Sequence, residues 1–249
     1  MRLDISRLRE AFAASQEGKR SGHSAQARLE PSPLQYDYLH LRTLGDSIRE
    51  LIDELPDRPG ASAVDIGADR SPYRTLLESR GYSVRTLDID PASGADLVGT
   101  IEETGLEDAS VDLVLCTQVL EHSRSPWLGI REVARILKPE GRIIFTVPHV
   151  WFYHPQPADS WRFTQEGCVR LCEEGGLRPL VLLAQGGTVL TLAQALNFAV
   201  YGAAGRAGWP VYWAMNRLGM VADRLVSNQL FCHNFACLAE KPAGSSAPV

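Results

Sequence analysis

Residues 111–148 read VDLVLCTQVLEHSRSPWLGIREVARILKPEGRIIFTVP. Two short runs rich in Val, Ile, Leu and Phe, Val111 to Cys116 and Arg142 to Val147, bracket a segment with a different rhythm. From Pro126 to Leu137 the apolar side chains Trp127, Ile130, Val133, Ala134 and Leu137 recur at intervals of three and four, the period of a helix buried on one face. Continuous apolar strands belong where both faces of a sheet are covered, and strand, helix, strand in that order is a parallel crossover unit. The KPEG turn at 138–141 closes the unit.

The alternation extends in both directions. Upstream, strands are predicted over Ala61 to Ile66 and Ser83 to Asp88, with a helix over Ser71 to Ser79 between them and a short third strand over Asp96 to Val98. Downstream, Thr164 caps a helix that runs to Glu174 and stops at Gly175-Gly176, and a strand follows over Leu180 to Ala184. A last strand lies at Asn234 to Ala239. The expected class is α/β, a doubly wound, mostly parallel seven-stranded sheet.

At 249 residues and nearly half apolar, the chain can bury one substantial core. Residues 1–33 are polar, end in PSP and read as an arm with a short helix from Ile5 to Ala14. Residues 34–249 are expected to form a single domain, with its core at 60–185. An amphipathic helix from Gln35 to Leu55, stopped by PDRPG, precedes the sheet. Between 187 and 228 two apolar, aromatic helical segments meet near Gly205 to Pro210. They are too short and too interrupted to span a bilayer, so they read as an insertion packed on the domain; contact with a membrane surface or a homodimer partner is the alternative.

A formal charge of −5 without any Lys or Arg run speaks against a nucleic-acid partner, which would need a basic surface. The N-terminus is charged from its second residue and lacks an apolar core segment, so the cytoplasm is the expected compartment. Five cysteines without a short CxxC pair suit reduced core thiols, and no metal site is expected.

Open parallel sheets bind ligands at the carboxyl ends of their strands. After the first strand comes Asp65-Ile66-Gly67-Ala68-Asp69-Arg70-Ser71, where Gly67 permits a tight turn and close backbone approach. Strand two ends in Asp88-Ile89-Asp90-Pro91, about twenty residues further, where a carboxylate accepts hydrogen bonds from a ribose diol. Asp88 is the favoured residue, and Asp90 is read as opening the turn before Pro91.

With these segments the chain resembles the class I, Rossmann-like S-adenosylmethionine-dependent methyltransferases, in particular the bacterial small-molecule and polysaccharide-pathway type. The resemblance covers roughly residues 60–185 plus the last strand. It rests on VDIGADRSPY, TLDID, Ile101-Glu102, LEDASVDLVLCTQVLEH and REVARILKPEGRIIFTVPH. It implies S-adenosylmethionine as cofactor, with Asp65, Gly67, Asp88, Ile89, Ile101, Glu102, Gln118 and His122 shaping its site. In the family, the residue matching Asp88 holds the ribose, the pair matching Ile101-Glu102 lies beside the adenine, and the Glu121-His122 pair closes the loop after strand four. One position departs from the pattern: Asp69 stands where the family usually has a second glycine. Arg70 is then read either as a bidentate partner for the donor carboxylate or, equally well, as an exposed surface charge.

The acceptor side is sought after strand five, in residues 148–164, which carry two His, one Asp, one Arg and five aromatic side chains. His154 to Thr164, with one residue more between His154 and Pro157, is similar to an H-x-P-x-D-x-W-R-F-T element of a subset of bacterial methyltransferases. His154, then His149, are the candidate general bases, with Asp159 as a catalytic candidate that equally well pairs with Arg162 to pin the loop. The resemblance implies O-methylation, or N-methylation, of a small metabolite, a sugar or a lipid-linked glycan. A donor-binding partner protein without turnover is the alternative. A dinucleotide dehydrogenase is disfavoured, because GxGxxG is missing.

Overall fold

The computed structural model describes residues 4–7, 9–10, 24–155, 157–226 and 228–244. One seven-stranded sheet organises them, in the order β3-β2-β1-β4-β5-β7-β6. Its strands are β1 (Ser62–Ile66), β2 (Ser83–Asp88), β3 (Leu97–Val98), β4 (Val111–Thr117), β5 (Leu137–Pro148), β6 (Arg178–Gln185) and β7 (Asn234–Glu240). All pairings are parallel except those of β7, which runs antiparallel to β5 and β6. The order reverses between β1 and β4, which puts the ligand crevice beyond the carboxyl ends of those two strands.

Helices cover both faces because the central strands are apolar on both. On one face Val114, Cys116, Ile143 and Phe145 pack against α4 (Pro126–Ile136) and α5 (Gln165–Glu174) through Ile130, Val133, Cys168 and Cys172. On the other, Leu113, Leu115 and Ile144 meet α2 (Tyr38–Asp53) and the short α3 (Arg74–Glu78) through Leu44, Ile48, Leu51 and Leu77. Thr164 caps α5 as expected, its Oγ1 accepting the Gly167 N–H at 3.1 Å. The buried Lys241 donates from Nζ to the carbonyls of Ala134 and Leu137, both at 2.7 Å, satisfying groups that the end of α4 leaves open.

Several expected boundaries move for identifiable reasons. The helix expected from Ser71 is confined to α3, since Ser71 has φ +44°, outside helical backbone. The KPEG turn lies inside β5 as an irregularity, with Glu140 at φ +62° and a register shift between Val111 and Leu113. β6 takes in Pro179, tolerated because β6 is an edge strand. All five cysteines are free and buried, Cys172 and Cys237 with sulfurs 3.9 Å apart. Residues 5–7 and 9–10 are helical, and the rest of the helix expected from Ile5 to Ala14 lies outside the described residues.

Past residue 187 the chain forms a helical hairpin, α6 (Thr188–Ala204) and α7 (Trp209–Leu225), joined by a short 3-10 turn, Gly205–Gly208. A further helix, α1 (Ala25–Leu29), is held on α2, where Arg49 Nη2 donates to the Leu29 carbonyl at 2.8 Å. No helix among the described residues is long and apolar enough to cross a membrane.

Candidate active site

A cavity of about 1180 Å³ opens at the carboxyl ends of β1, β2 and β4. The loop after β1 forms its floor. Gly67 has φ +67° and donates its N–H to the Leu87 carbonyl at 2.8 Å, tying the β1 turn to the end of β2. Asp88 sits across from it, its carboxylate accepting the N–H of Asp69 at 3.2 Å and of Asp90 at 2.9 Å. Asp90 opens the turn before Pro91, accepting the Ala92 N–H at 2.8 Å.

Gly67, Asp88, Ile89, Ile101, Glu102, Gln118 and His122 all line this cavity, together with His154 from the opposite wall. Glu102 fixes the edge of the loop after β4, accepting the Arg124 N–H at 2.8 Å. Gln118, at φ +55°, is held by Thr146, whose Oγ1 accepts from its Nε2 at 3.1 Å. Asp65 is not on the cavity wall. It is buried beneath, bonded by Ser71 Oγ at 2.6 Å, and burial raises its pKa to about 7.

Arg70 is exposed and is not part of the cavity wall. Two other arginines line the cavity, Arg124 from the loop after β4 and Arg28 from α1, the latter 3.5 Å from the Asp69 carboxylate. Nothing in the sequence around Arg28 signalled this, because the contact joins residues about forty apart through a helix that packs on α2. His40, Leu41 and Leu44 of α2 also reach the wall.

The segment after β5 carries the residues expected on the acceptor side. Asp159 has almost no exposed side chain and forks onto Arg162, with contacts of 2.5 and 2.7 Å. It also accepts the His154 backbone N–H at 2.9 Å. Burial would raise the Asp159 carboxyl, but the bonds from Arg162 and His154 outweigh it and hold the group below the usual carboxylate range. Arg162 adds a bond to the Phe152 carbonyl at 2.9 Å, and Trp161 Nε1 donates to the Ser123 carbonyl at 3.0 Å. Asp159 is therefore a brace of the loop and stands outside the cavity wall.

His154 is placed by this brace, with Nδ1 at 3.1 Å from the Phe152 carbonyl and 3.2 Å from Asp159. Burial lowers its pKa and His122 adds to that, against the opposing pull of Asp159. The two rings meet edge to face, with centroids 4.9 Å apart. His149 points elsewhere: its Nδ1 faces the Phe163 carbonyl at 2.7 Å, its ring lies on Phe235, and it is not on the cavity wall.

Glu121 is fully buried, with neither carboxyl oxygen hydrogen-bonded, and lies 3.8 Å from His122 Nε2. Burial raises its pKa to about 8, so it is a neutral acid at neutral pH. Among the described residues, Glu121, His122 and His154 form the one set of ligand-type atoms gathered within 4.8 Å.

Residues 64–145 match the family model described as "Methyltransferase domain". An uncharacterized methyltransferase of Mycobacterium tuberculosis is 36% identical over 104 residues, 38% of this chain and 42% of that protein. The chain thus spans under half the length of the curated relatives it matches. Among solved structures, a geranyl diphosphate C-methyltransferase from Streptomyces coelicolor superposes with TM-score 0.56 at 15% identity, covering 87% of this chain and 86% of that one. A Galdieria sulphuraria protein described as a sarcosine dimethylglycine methyltransferase gives TM-score 0.54 at 19% identity, covering 82% and 88%. At these identities the structural likeness carries the fold, and the segment at 64–145 carries a likeness to methyltransferases. Over residues 64–145 the chain is thus similar to methyltransferases, and its sheet is that of a Rossmann-like α/β fold.

Proposed function

We propose that this chain transfers the methyl group of S-adenosylmethionine to a hydroxyl of a small metabolite, a sugar or a lipid-linked glycan, with His154 as general base. The observation that carries the donor half is Asp88, a carboxylate held by two backbone N–H groups on the wall of a cavity large enough for two ligands. The residues present fit the donor. Ser125 Oγ is buried on the same wall with no hydrogen-bond partner, and Ile89 stays 56% exposed, an apolar surface for an adenine to cover.

When bound, the donor supplies an electrophilic methyl group on a sulfonium. Asp88 would hold the ribose hydroxyls, and Ile89 and Ile101 would flank the adenine. Arg28 would hold the methionine carboxylate. Its pairing with Asp69 is long and partly exposed, hence weak and exchangeable. That pairing also answers the charge that Asp69 brings to the loop, which removes the main argument for a protein that has lost its chemistry. His154 keeps its Nδ1 proton on the Phe152 carbonyl and Asp159, leaving Nε2 free to take a proton from the acceptor. Burial keeps the ring neutral and so able to accept it.

Calorimetric titration with S-adenosylhomocysteine tests the donor half, with NAD as control. Micromolar binding that weakens about 10- to 100-fold in Asp88→Ala supports it. Absence of binding by the wild-type chain removes it. A screen of hydroxyl acceptors by S-adenosylhomocysteine release then tests the transfer.

A further inference from the structure

The α6–α7 hairpin is apolar on its outer side and pinned on its inner one. Inside, Leu190 and Ala193 pack on Leu39, and polar bonds hold the helices in place: Asn197 Nδ2 donates to Asn216 Oδ1 at 2.8 Å, Gln194 Nε2 to the Tyr36 carbonyl at 2.8 Å, and Asn216 Nδ2 to the carbonyls of Pro33 and Gln35 at 2.9 Å. Gln194, Asn197 and Asn216 are essentially unexposed. The outer side carries Leu192 and Leu196 from α6, and Trp213, Leu218, Val221 and Leu225 from α7, between 47% and 79% exposed. These bonds fix the orientation, so the apolar side cannot roll inward. Contiguous exposed apolar surface of this kind marks a contact site.

Charge says with what. From Thr188 to Val226 the only charged residues are Arg206, Arg217, Arg224 and Asp223. Asp223 is turned into the fold, accepting the N–H of Gly187 at 3.1 Å and of Leu190 at 3.3 Å. The outward charges of the hairpin are therefore arginines, on a chain whose formal charge is −5. At helical spacing, Arg217 and Arg224 lie between the Trp209/Trp213 edge of α7 and its Leu218, Val221 and Leu225 stripe. Tryptophans, arginines and an aliphatic stripe on one side describe a helix lying in a lipid headgroup layer. A two-fold dimer through this face would bring the arginines of both copies into one interface without an outward carboxylate on the hairpin to pair with them.

The hairpin also borders the site. A second cavity, of about 170 Å³, lies between α6 and the loop after β5, lined by Ala195 and Phe198 on one side and Phe152 and Trp151 on the other. Trp151 lines the large cavity as well.

We propose that the α6–α7 hairpin seats this protein on an anionic lipid bilayer surface, so that a lipid-linked acceptor reaches the cavity from the membrane past Phe152 and Trp151. This choice of acceptor rests on the methyltransferase reading; the surface does not.

The test is co-sedimentation with vesicles of phosphatidylcholine alone and of phosphatidylcholine mixed with phosphatidylglycerol. Wild-type protein is expected on the mixed vesicles, about tenfold or more tighter than on neutral ones, weakening with salt. Leu218→Glu with Val221→Glu should abolish binding while leaving thermal unfolding and S-adenosylhomocysteine titration unchanged. Arg217→Gln with Arg224→Gln should remove the preference for anionic vesicles. Failure of wild-type protein to sediment with either vesicle overturns the proposal. So does a lipid-free dimer in sedimentation velocity that Leu218→Glu splits. Vesicle binding without S-adenosylhomocysteine binding supports the surface and overturns the methyltransferase reading alone.

Discussion

Asp69 and Arg28 are read correctly only together. Alone, a carboxylate in the β1 loop would repel the donor carboxylate; with the Arg28 guanidinium 3.5 Å away, the loop offers one positive and one negative group to a zwitterion. Arg28→Ala is therefore expected to weaken S-adenosylhomocysteine about 5- to 50-fold, as loss of a charged hydrogen bond does, and Arg70→Ala to leave it nearly unchanged. Parallel calorimetric titrations check the contrast, and an equal loss in both would put the donor carboxylate elsewhere. His154 invites a second residue-level test. Because burial lowers its pKa, the neutral, proton-accepting ring persists below the ordinary histidine value of 6.5. The acid limb of kcat/KM should then have its midpoint under pH 6.5, and His154→Ala should lose about 10²- to 10⁴-fold in rate. His149→Gln, whose parent ring is bonded to the Phe163 carbonyl away from the cavity, should keep that acid limb.

At the scale of elements, the β1 turn is where backbone and packing act on the same position. A Cβ on Gly67 would sit 2.3 Å from Val119 Cγ2, and the residue already holds φ +67°. Gly67→Ala should cost about 2–4 kcal/mol, from left-handed backbone and overpacking together. Adding Val119→Ala should restore the overpacking part and leave the backbone part, a difference that chemical denaturation resolves. The neighbouring elements show what sequence can carry. The strands were legible because burial on both faces makes them continuously apolar, and β2 and β7 begin where alternation and turn residues put them. The position of Asp88 on the cavity wall was legible because its place at a strand end is a topological fact. Arg28 was not, since a single arginine in a polar arm has no local pattern and gains its position from α1 packing on α2. Asp159 was legible only as a choice between brace and catalyst, and the fork onto Arg162 is the pairing that the brace reading requires.

The whole molecule carries buried ionisable groups of both kinds, and their sum fixes how its stability responds to pH. Burial raises Asp65 from 3.8 to about 7 and Glu121 from 4.5 to about 8, so each favours the folded state fully below its ordinary value and loses that advantage as pH climbs through the raised one. Burial lowers His233 from 6.5 to about 4, and His40 falls in the same direction. Unfolding lets these histidines take up protons, so stability is lost as pH falls from 6.5. Between about pH 4.5 and 6.5 the two sets oppose one another, so each masks part of the other's pH dependence. Above 6.5 the histidines are neutral in both states and only the acids act, so unfolding free energy should fall by about 2–3 kcal/mol by pH 8, at about 1.4 kcal/mol per unit and proton. Glu121→Gln keeps the shape and burial of the neutral acid but has no proton to lose. Its unfolding free energy should therefore hold up above pH 6.5 where the wild type declines, leaving only the smaller contribution of Asp65. Urea titrations of both proteins at pH 6 and pH 8 measure the difference, and parallel declines would mean that Glu121 is ionised in the fold and finds a cationic partner there.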